Sequence, residues 1–284
     1  MTLPRPTRLL AVALLLAAAA PARAQLATPS ASPAATLTQR VGLTEVELAY
    51  ARPSRRGRAL FGPGALLPYG ELWRTGANDA TALTTDGPLA IGDAVLPAGR
   101  YALLSVPGAA TWAFLFYAYE GPDWTAYRER EPVARAEVAT TRSRDTTEVL
   151  TLDVVPDGLE AATLRLAWGD VDVRLPLGLD ARERALASIA ALEAGPTWFD
   201  DFRVATYLHE AGVDLERALV YIERANAVPG VRFFQRYREA AILADLGREA
   251  EAAAAAREAL RLARAAGDAH FARLSEGLLE AMGG

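Results

Sequence analysis

Residues 161–190 read AATLRLAWGDVDVRLPLGLDARERALASIA, and the fold class turns on this stretch. Its first part alternates apolar and polar residues, the period of half-buried strands. Ala161–Trp168 and Val171–Leu175 are two candidate strands, with Gly169-Asp170 as the link between them. Around Gly178 the composition changes. From Asp180 onward alanine, leucine, arginine and glutamate dominate and the period becomes helical. A β-rich half is therefore followed by a helical half, an α+β organisation of two domains, 37–178 and 179–284.

Upstream of the switch the pattern is one of short alternating runs punctuated by Gly and Pro. Val46, Leu48 and Tyr50 alternate with polar or small partners, and Leu89–Val95 carries Gly92-Asp93 as a turn. Gly99 introduces Tyr101–Val106, Pro107-Gly108 breaks it, and Thr111–Tyr119, Val133–Thr141 and Thr147–Val155 follow. Many short strands with turn signals at this spacing predict an antiparallel β-sandwich.

Downstream, Leu215, Ala218, Leu219, Ile222 and Ala225 lie on one helical face, with Asp214 placed to cap its start. The arrangement recurs at Ala252, about 34 residues after Ala218, and glycine turns at Ala211-Gly212 and Leu246-Gly247 precede the two units. With further helices over 180–194 and 268–282, this predicts α-helical hairpins of tetratricopeptide-like type. Trp198, Phe199, Phe202, Phe233, Phe234 and Tyr237 are expected to form the core between hairpins. His209 sits near a helix C-terminus, where it is expected to act as a favourable cap.

The first residues carry the layout of a secretory signal peptide. Arg5 and Arg8 precede an apolar run, Leu9–Ala20, and Ala22-Arg23-Ala24 is a small-x-small site before Gln25. The run is well short of the roughly 20 residues a membrane-spanning helix needs. Residues 1–24 are thus expected to be cleaved near Ala24-Gln25, leaving an exported protein, periplasmic or extracellular, with no transmembrane segment. Residues 25–36 read as a flexible lead. Cleavage removes three arginines and no acid, so the formal charge moves from −5 to −8. An acidic chain lacks the basic footprint of a nucleic-acid binder. Cysteine is absent, which excludes a thiol nucleophile, an iron–sulfur cluster and a cysteine zinc site. Every basic side chain is arginine.

Residues 50–81, YARPSRRGRALFGPGALLPYGELWRTGANDAT, are the densest polar and aromatic stretch. Arg52, Arg58, Glu71, Trp73, Arg74, Asn78 and Thr81 could together hold a small polar ligand or glycan: an aromatic face, arginine forks and an amide. The competing reading is an ordered loop whose arginines satisfy carbonyls and whose Trp73 plugs the sandwich. Glu71 and Asp79 could pair with Arg74 or Arg58. His209 and His270 are the only histidines and both lie in the tail, so the β half has no Ser-His-Asp triad. No phosphate-loop or dinucleotide fingerprint is present. No catalytic residue, metal site or cofactor is assigned. Asp170 and Asp172 share a strand face and are read as a solvated pair in preference to acid–base partners.

Three blocks carry a family resemblance: Tyr50-x-Arg52-Pro53-Ser54-x-x-Gly57-Arg58-x-x-Phe61-Gly62, Leu67-Pro68-Tyr69-Gly70-x-x-Trp73-Arg74-Thr75-Gly76-Ala77-Asn78-x-Ala80-Thr81, and Leu96-Pro97-Ala98-Gly99-x-Tyr101-x-Leu103. They resemble the exported bacterial family called domain of unknown function twenty-nine eleven. The resemblance implies a signal peptide, this β-rich block and, often, a helical-repeat tail. It implies no activity. Two departures stand out: Tyr117-Ala118 replaces a polar pair after the strand ending near Phe116, and Pro63-Gly64 is extra. Three functions stay open: non-enzymatic binding of a small polar ligand or glycan through the 52–81 loop, scaffolding of an envelope protein by the helical tail, and hydrolysis by carboxylates.

Overall fold

The computed structural model describes residues 28–192 and 197–283; the expected signal peptide and its cleavage site lie outside them. Ten strands and six helices follow one another among these residues. A six-stranded antiparallel sheet has the order β1 (Ala34–Val41), β2 (Thr44–Ala51), β3 (Thr81–Thr85), β6 (Gly99–Val106), β7 (Thr111–Ala118), β8 (Ala134–Ala139). A four-stranded sheet has the order β5 (Ala94–Leu96), β4 (Leu89–Ile91), β10 (Ala161–Leu179), β9 (Thr141–Pro156). β1 begins inside the stretch read as a lead, and the backbone carbonyls of Ala31, Ser32 and Pro33 already accept hydrogen bonds from residues of the 52–81 loop.

The inner faces of the two sheets make the core. Val46, Leu48, Leu83, Leu103, Trp112, Phe114 and Phe116 come from one sheet, and Leu89, Ile91, Leu152, Val154 and the β10 residues from the other. On β10 the buried positions are Leu164, Leu166 and Trp168, then Val171, Val173, Leu175 and Leu177. The phase moves from even to odd numbers at Gly169-Asp170. This pair is not a link between two strands. It lies at a bulge in the β9–β10 pairing inside one 19-residue strand, with the extra residues on β9, where Thr151 to Arg142 stands opposite Ala167 to Val171. The phase of β10 reverses there, and an apolar inner face continues beyond it. Gly169 has φ +62°, a backbone conformation that favours glycine, and a Cβ there would meet Leu60 Cδ1 at 2.8 Å and push that side chain aside.

The outer side of the six-stranded sheet is covered as well. Ala102, Leu104, Ala113, Leu115 and Tyr117 point away from the main core and are buried under the β7–β8 crossover, which contains a 3₁₀ turn, Trp124–Tyr127. Tyr117 therefore goes under this cover, although it stands where the family resemblance expects a polar residue. Tyr127 anchors the crossover. Its hydroxyl donates to Gly121 O (2.9 Å) and accepts from the backbone N–H of Glu120 (3.0 Å) and Gly121 (3.2 Å).

After β10 only Asp180 separates the sheet from α1 (Ala181–Ala190). Then come α2 (Trp198–Glu210), α3 (Leu215–Asn226), α4 (Phe233–Asp245), α5 (Glu249–Ala266) and α6 (Ala269–Ala281). α2 packs on α3, α4 on α5, and α6 on α5. Asp214 caps α3 by accepting from Arg217 N at 2.9 Å, as its spacing predicts. Ala218 and Ala252 are both fully buried. The tail core is made of Ala205, Leu208, Ala218, Leu219, Ile222, Ala225, Ile242, Leu243 and Ala252, with alanines where helices approach closely. Of the aromatics expected there, Phe202 is half-buried and packs against this core, while the others lie at its rim and Phe199 is 50% exposed. These aromatics form a partly exposed run in which Phe202 meets Phe234 (5.2 Å between ring centroids), Phe233 meets Phe271 (5.1 Å) and Tyr237 meets Phe271 (5.5 Å).

His209 also differs from expectation. Its Nδ1 lies 2.8 Å from Arg238 Nη1 and its Nε2 2.9 Å from Asp245 Oδ2. Arginine can only donate, so Nδ1 accepts and Nε2–H donates. The ring thus ties α2 to α4.

Candidate functional site

The 52–81 loop leaves β2, crosses to the other sheet and returns. Its first part lies along the edge of β9: Arg55 N donates to Glu148 O (2.7 Å) and Leu150 N to Pro53 O (3.0 Å). Tyr50 Oη reaches the same edge, donating to Leu152 O and accepting from Leu152 N. Arg52 spans the gap with Nε on Leu150 O and Nη2 on Thr151 Oγ1, both at 3.0 Å. Arg58 donates to the carbonyls of Arg55 (2.9 Å) and Ser54 (2.7 Å). The guanidinium groups of both residues are engaged with the chain's own oxygens.

The middle of the loop closes one end of the sandwich. Phe61 and Trp73 join Trp112 and Trp168 in one aromatic cluster, with Trp73 stacked on Trp168 (5.9 Å, 18° between planes) and Phe61 edge-on to Trp112 (5.2 Å). Trp73 is 6% exposed, its Nε1 donates to Gly76 O (2.9 Å), and its backbone exchanges two hydrogen bonds of 2.8 Å with Ser105 on β6. An indole packed on both sides offers no free face for stacking. Thr81 is fully buried as the first residue of β3, donating from Oγ1 to Thr75 O (3.0 Å).

Between Trp73 and Thr81 the chain makes a tight excursion over the outer side of the sheet. Thr75 has φ +54° and Asn78 φ +61°. The left-handed region is an outlier for a β-branched residue. Thr75 is fully buried and its Oγ1 lies 2.9 Å from Ser105 Oγ, while Ala80 N donates to Pro122 O (2.8 Å). Gly76 has no room for a side chain, since a Cβ would lie 3.0 Å from Thr81 Oγ1 and 3.2 Å from Ala51 O. The excursion is pinned from beneath and presents Arg74, Asn78 and Asp79 at the surface. Arg74 Nη1 donates to Asn78 O at 2.7 Å, and Asn78 Nδ2 makes a long contact, 3.4 Å, with Ser32 O. Glu71 and Asp79 form no ion pair with Arg74 or Arg58 among the described residues.

The seven candidates therefore do not form one site. Arg52 and Arg58 lie at the β9 edge, Trp73 and Thr81 lie inside, Arg74 and Asn78 lie on the outer side, and Glu71 is exposed ahead of Trp73 with no contact to them among the described residues. Two residues that sequence reasoning did not single out join the outer group. The Arg74 guanidinium carbon is 4.7 Å from the centroid of the Trp124 ring, and that of Arg128 is 4.5 Å from it. Burial, then the nearby Arg128 charge, lower the Arg74 pKa, while Asp79 acts in the opposite sense. Trp124 and Arg128 lie in a connection with no periodic pattern, so no signal in the sequence marked the pair.

Asp170 and Asp172 are each taken up by arginine. Arg142 Nη1 donates to Asp170 (2.7 Å); Arg165 and Arg174 both donate to Asp172. Among the described residues no three His, Asp or Glu side chains gather as a metal site would require. Cavities of about 230, 350 and 560 Å³ open elsewhere, and no candidate loop residue lines them.

The family model described as "Protein of unknown function (DUF2911)" matches residues 32–177, about half of the chain. The chain belongs to this family. The DUF2911 match starts just ahead of β1 and ends within β10, so it takes in both sheets and the whole 52–81 loop, while the helical tail lies beyond it. No curated protein and no solved structure matches the chain. No helix among the described residues is long and apolar enough to cross a membrane.

Proposed function

We propose that this DUF2911 protein is exported and binds a small polar ligand or glycan, without turnover, on the outer limb of the 52–81 loop through Arg74, Asn78 and Asp79. The observation that carries the reading is the left-handed backbone at Thr75 and Asn78, held over a buried hydroxyl pair. Strain of this kind costs on the order of 1–3 kcal/mol per residue and persists where the surrounding structure imposes it, often at binding sites. Here it keeps Arg74, Asn78 and Asp79 on a pinned turn, which lowers the ordering cost of binding.

Calorimetric titration of the purified protein with neutral and acidic sugars and peptidoglycan fragments tests it. A ligand present at 100 times its Kd would also add about 2.7 kcal/mol to folding stability. Binding that disappears in Arg74→Ala and Asn78→Gly, with both variants folded, is the expected result. A blank across the panel, or binding indifferent to both changes, would overturn it.

A second reading rests on the partly exposed aromatic run across α2, α4 and α6. It makes the tail a protein-interaction surface. In that case removal of residues 180–284 abolishes partner capture and the two loop substitutions do not.

A further inference from the structure

The arginines of the helical tail and of the outer β9–β10 face are mostly matched by carboxylates: Arg165 and Arg174 with Asp172, Arg248 with Glu251, Arg261 with Glu258, Arg264 with Glu276. Arg74 and Arg128 are different. Both guanidinium groups lie on the same indole, and neither forms an ion pair among the described residues. Arg74 has one hydrogen bond, to Asn78 O, and its remaining donors are unspent. Arg128 has no side-chain hydrogen bond among the described residues.

The support beneath the pair is rigid. Arg74 follows Trp73, whose backbone is locked to Ser105 on β6. Trp124 begins the 3₁₀ turn capped by Asp123, which accepts from Thr125 N (3.0 Å) and Thr125 Oγ1 (2.7 Å). The bond from Ala80 N to Pro122 O fastens one segment to the other. Two cations are thus held on one aromatic ring, in a chain of net negative charge, near enough for the Arg128 charge to act on Arg74, with Asp79 nearby but in no ion pair with either among the described residues. Guanidinium groups so arranged present planar forks that match the oxygens of carboxylate or phosphate.

We infer that Arg74 and Arg128, stacked on Trp124, form an oxyanion site that receives a carboxylate or phosphate group of the ligand. This rests on the binding role proposed for the loop and adds the ligand's charge and a residue, Arg128, from a different segment. The exposed Asp79 alongside suits hydroxyl groups on the remainder of such a ligand. It also disfavours a bare polyanion.

The test is calorimetric titration with glucose, glucuronic acid, glucose 6-phosphate and inorganic phosphate, on the unaltered protein and on Arg128→Gln, Arg128→Lys and the remote control Arg257→Gln. The expected result is that one or both acidic sugars bind and glucose does not. Arg128→Gln should weaken that binding by at least about tenfold and Arg128→Lys by less, as loss of a charged fork predicts, while Arg257→Gln leaves it unchanged. Preference for glucuronic acid over the phosphates assigns a carboxylate, and the reverse assigns a phosphoryl group. If glucose binds as well as the acids and Arg128→Gln has no effect, the oxyanion site is wrong while the loop remains a binding site. If none of the four binds, the oxyanion site is wrong, and the loop's role then stands or falls on the wider panel above.

Discussion

The two halves of the chain bury polar groups and fill space in opposite ways. In the β body, Asp172 is 8% exposed and takes hydrogen bonds from two arginines. In the tail, Asp201 is 4% exposed, with Arg224 Nη2 3.1 Å from Oδ1, yet that oxygen has no hydrogen bond of proper geometry. The body's core sets a cluster of indole and phenyl rings among leucines and valines, whereas the tail's sets alanines among leucines and isoleucines and holds no aromatic residue at its buried centre. A sandwich of two twisted sheets leaves wide gaps that large side chains fill. Alanines at the helix contacts leave little room beyond a methyl group at those positions. Each half is therefore sensitive to the opposite kind of substitution.

The largest expected effect tests whether the halves are separable. Trp73→Ala should cost the body about 3–5 kcal/mol, as loss of a buried aromatic does. Denaturation followed by near-ultraviolet dichroism should show it, with the helical far-ultraviolet transition unmoved. If both transitions fall together, the junction contacts Arg182–Glu160 (2.7 Å) and Arg184–Thr44 (3.0 Å) unite the halves and the comparison fails.

Next comes Asp172→Asn, which removes charged hydrogen bonds worth about 1.5–3 kcal/mol. Burial pushes the Asp172 carboxyl up, but the hydrogen bond and charge of Arg165, then Arg174, outweigh it and leave the pKa lowered. Its stabilisation is present above the unfolded carboxylate value and lost as pH falls through the lower folded value. The variant should be weaker than the parent at pH 7 and lose less on acidification.

Ala252→Leu sharpens the packing side of the contrast. It overfills a fully buried site and should cost the tail about 1–3 kcal/mol, read from the midpoint of the helical transition. The smallest effect belongs to Asp201→Asn. Burial raises the Asp201 pKa, Arg224 offsets this only in part and Asp200 adds to it. The protonated form is favoured in the folded tail, so that gain holds below the unfolded value and is lost as pH rises through the folded one. Asparagine should change tail stability at pH 7 by less than about 1 kcal/mol and remove this pH dependence. A large loss would show that Asp201 is held as firmly as Asp172.

The strands whose inner positions are Val, Leu and Phe are legible in the sequence, as are the β4–β5 hairpin, the helical change after Gly178 and the Asp214 cap. What escaped has physical causes. β3 reads TALTT, and its buried Thr81 and Thr85 hydroxyls are satisfied by the carbonyls of Thr75 and Gly87, so an apolar–polar rule places them outside. Gly169-Asp170 serves a turn or a bulge equally well, because both use a left-handed glycine. The rim position of Phe199 and Phe233 follows from the alanines that hold the helices together. Arg74 was legible as a candidate, but its partner Arg128 comes from a crossover with no periodic pattern, and only chain closure brings the two to one ring.

The long strand β10 also sets an order of events. Leu164 to Leu177 supply much of the second layer, and their main partner β9 immediately precedes them. During synthesis the six-stranded sheet is complete in sequence by Ala139, yet of the covering sheet only the short β4 and β5 have then been made, and Leu164 to Leu177 follow last. The chain thus stays largely open-faced through more than half of its own production and closes late.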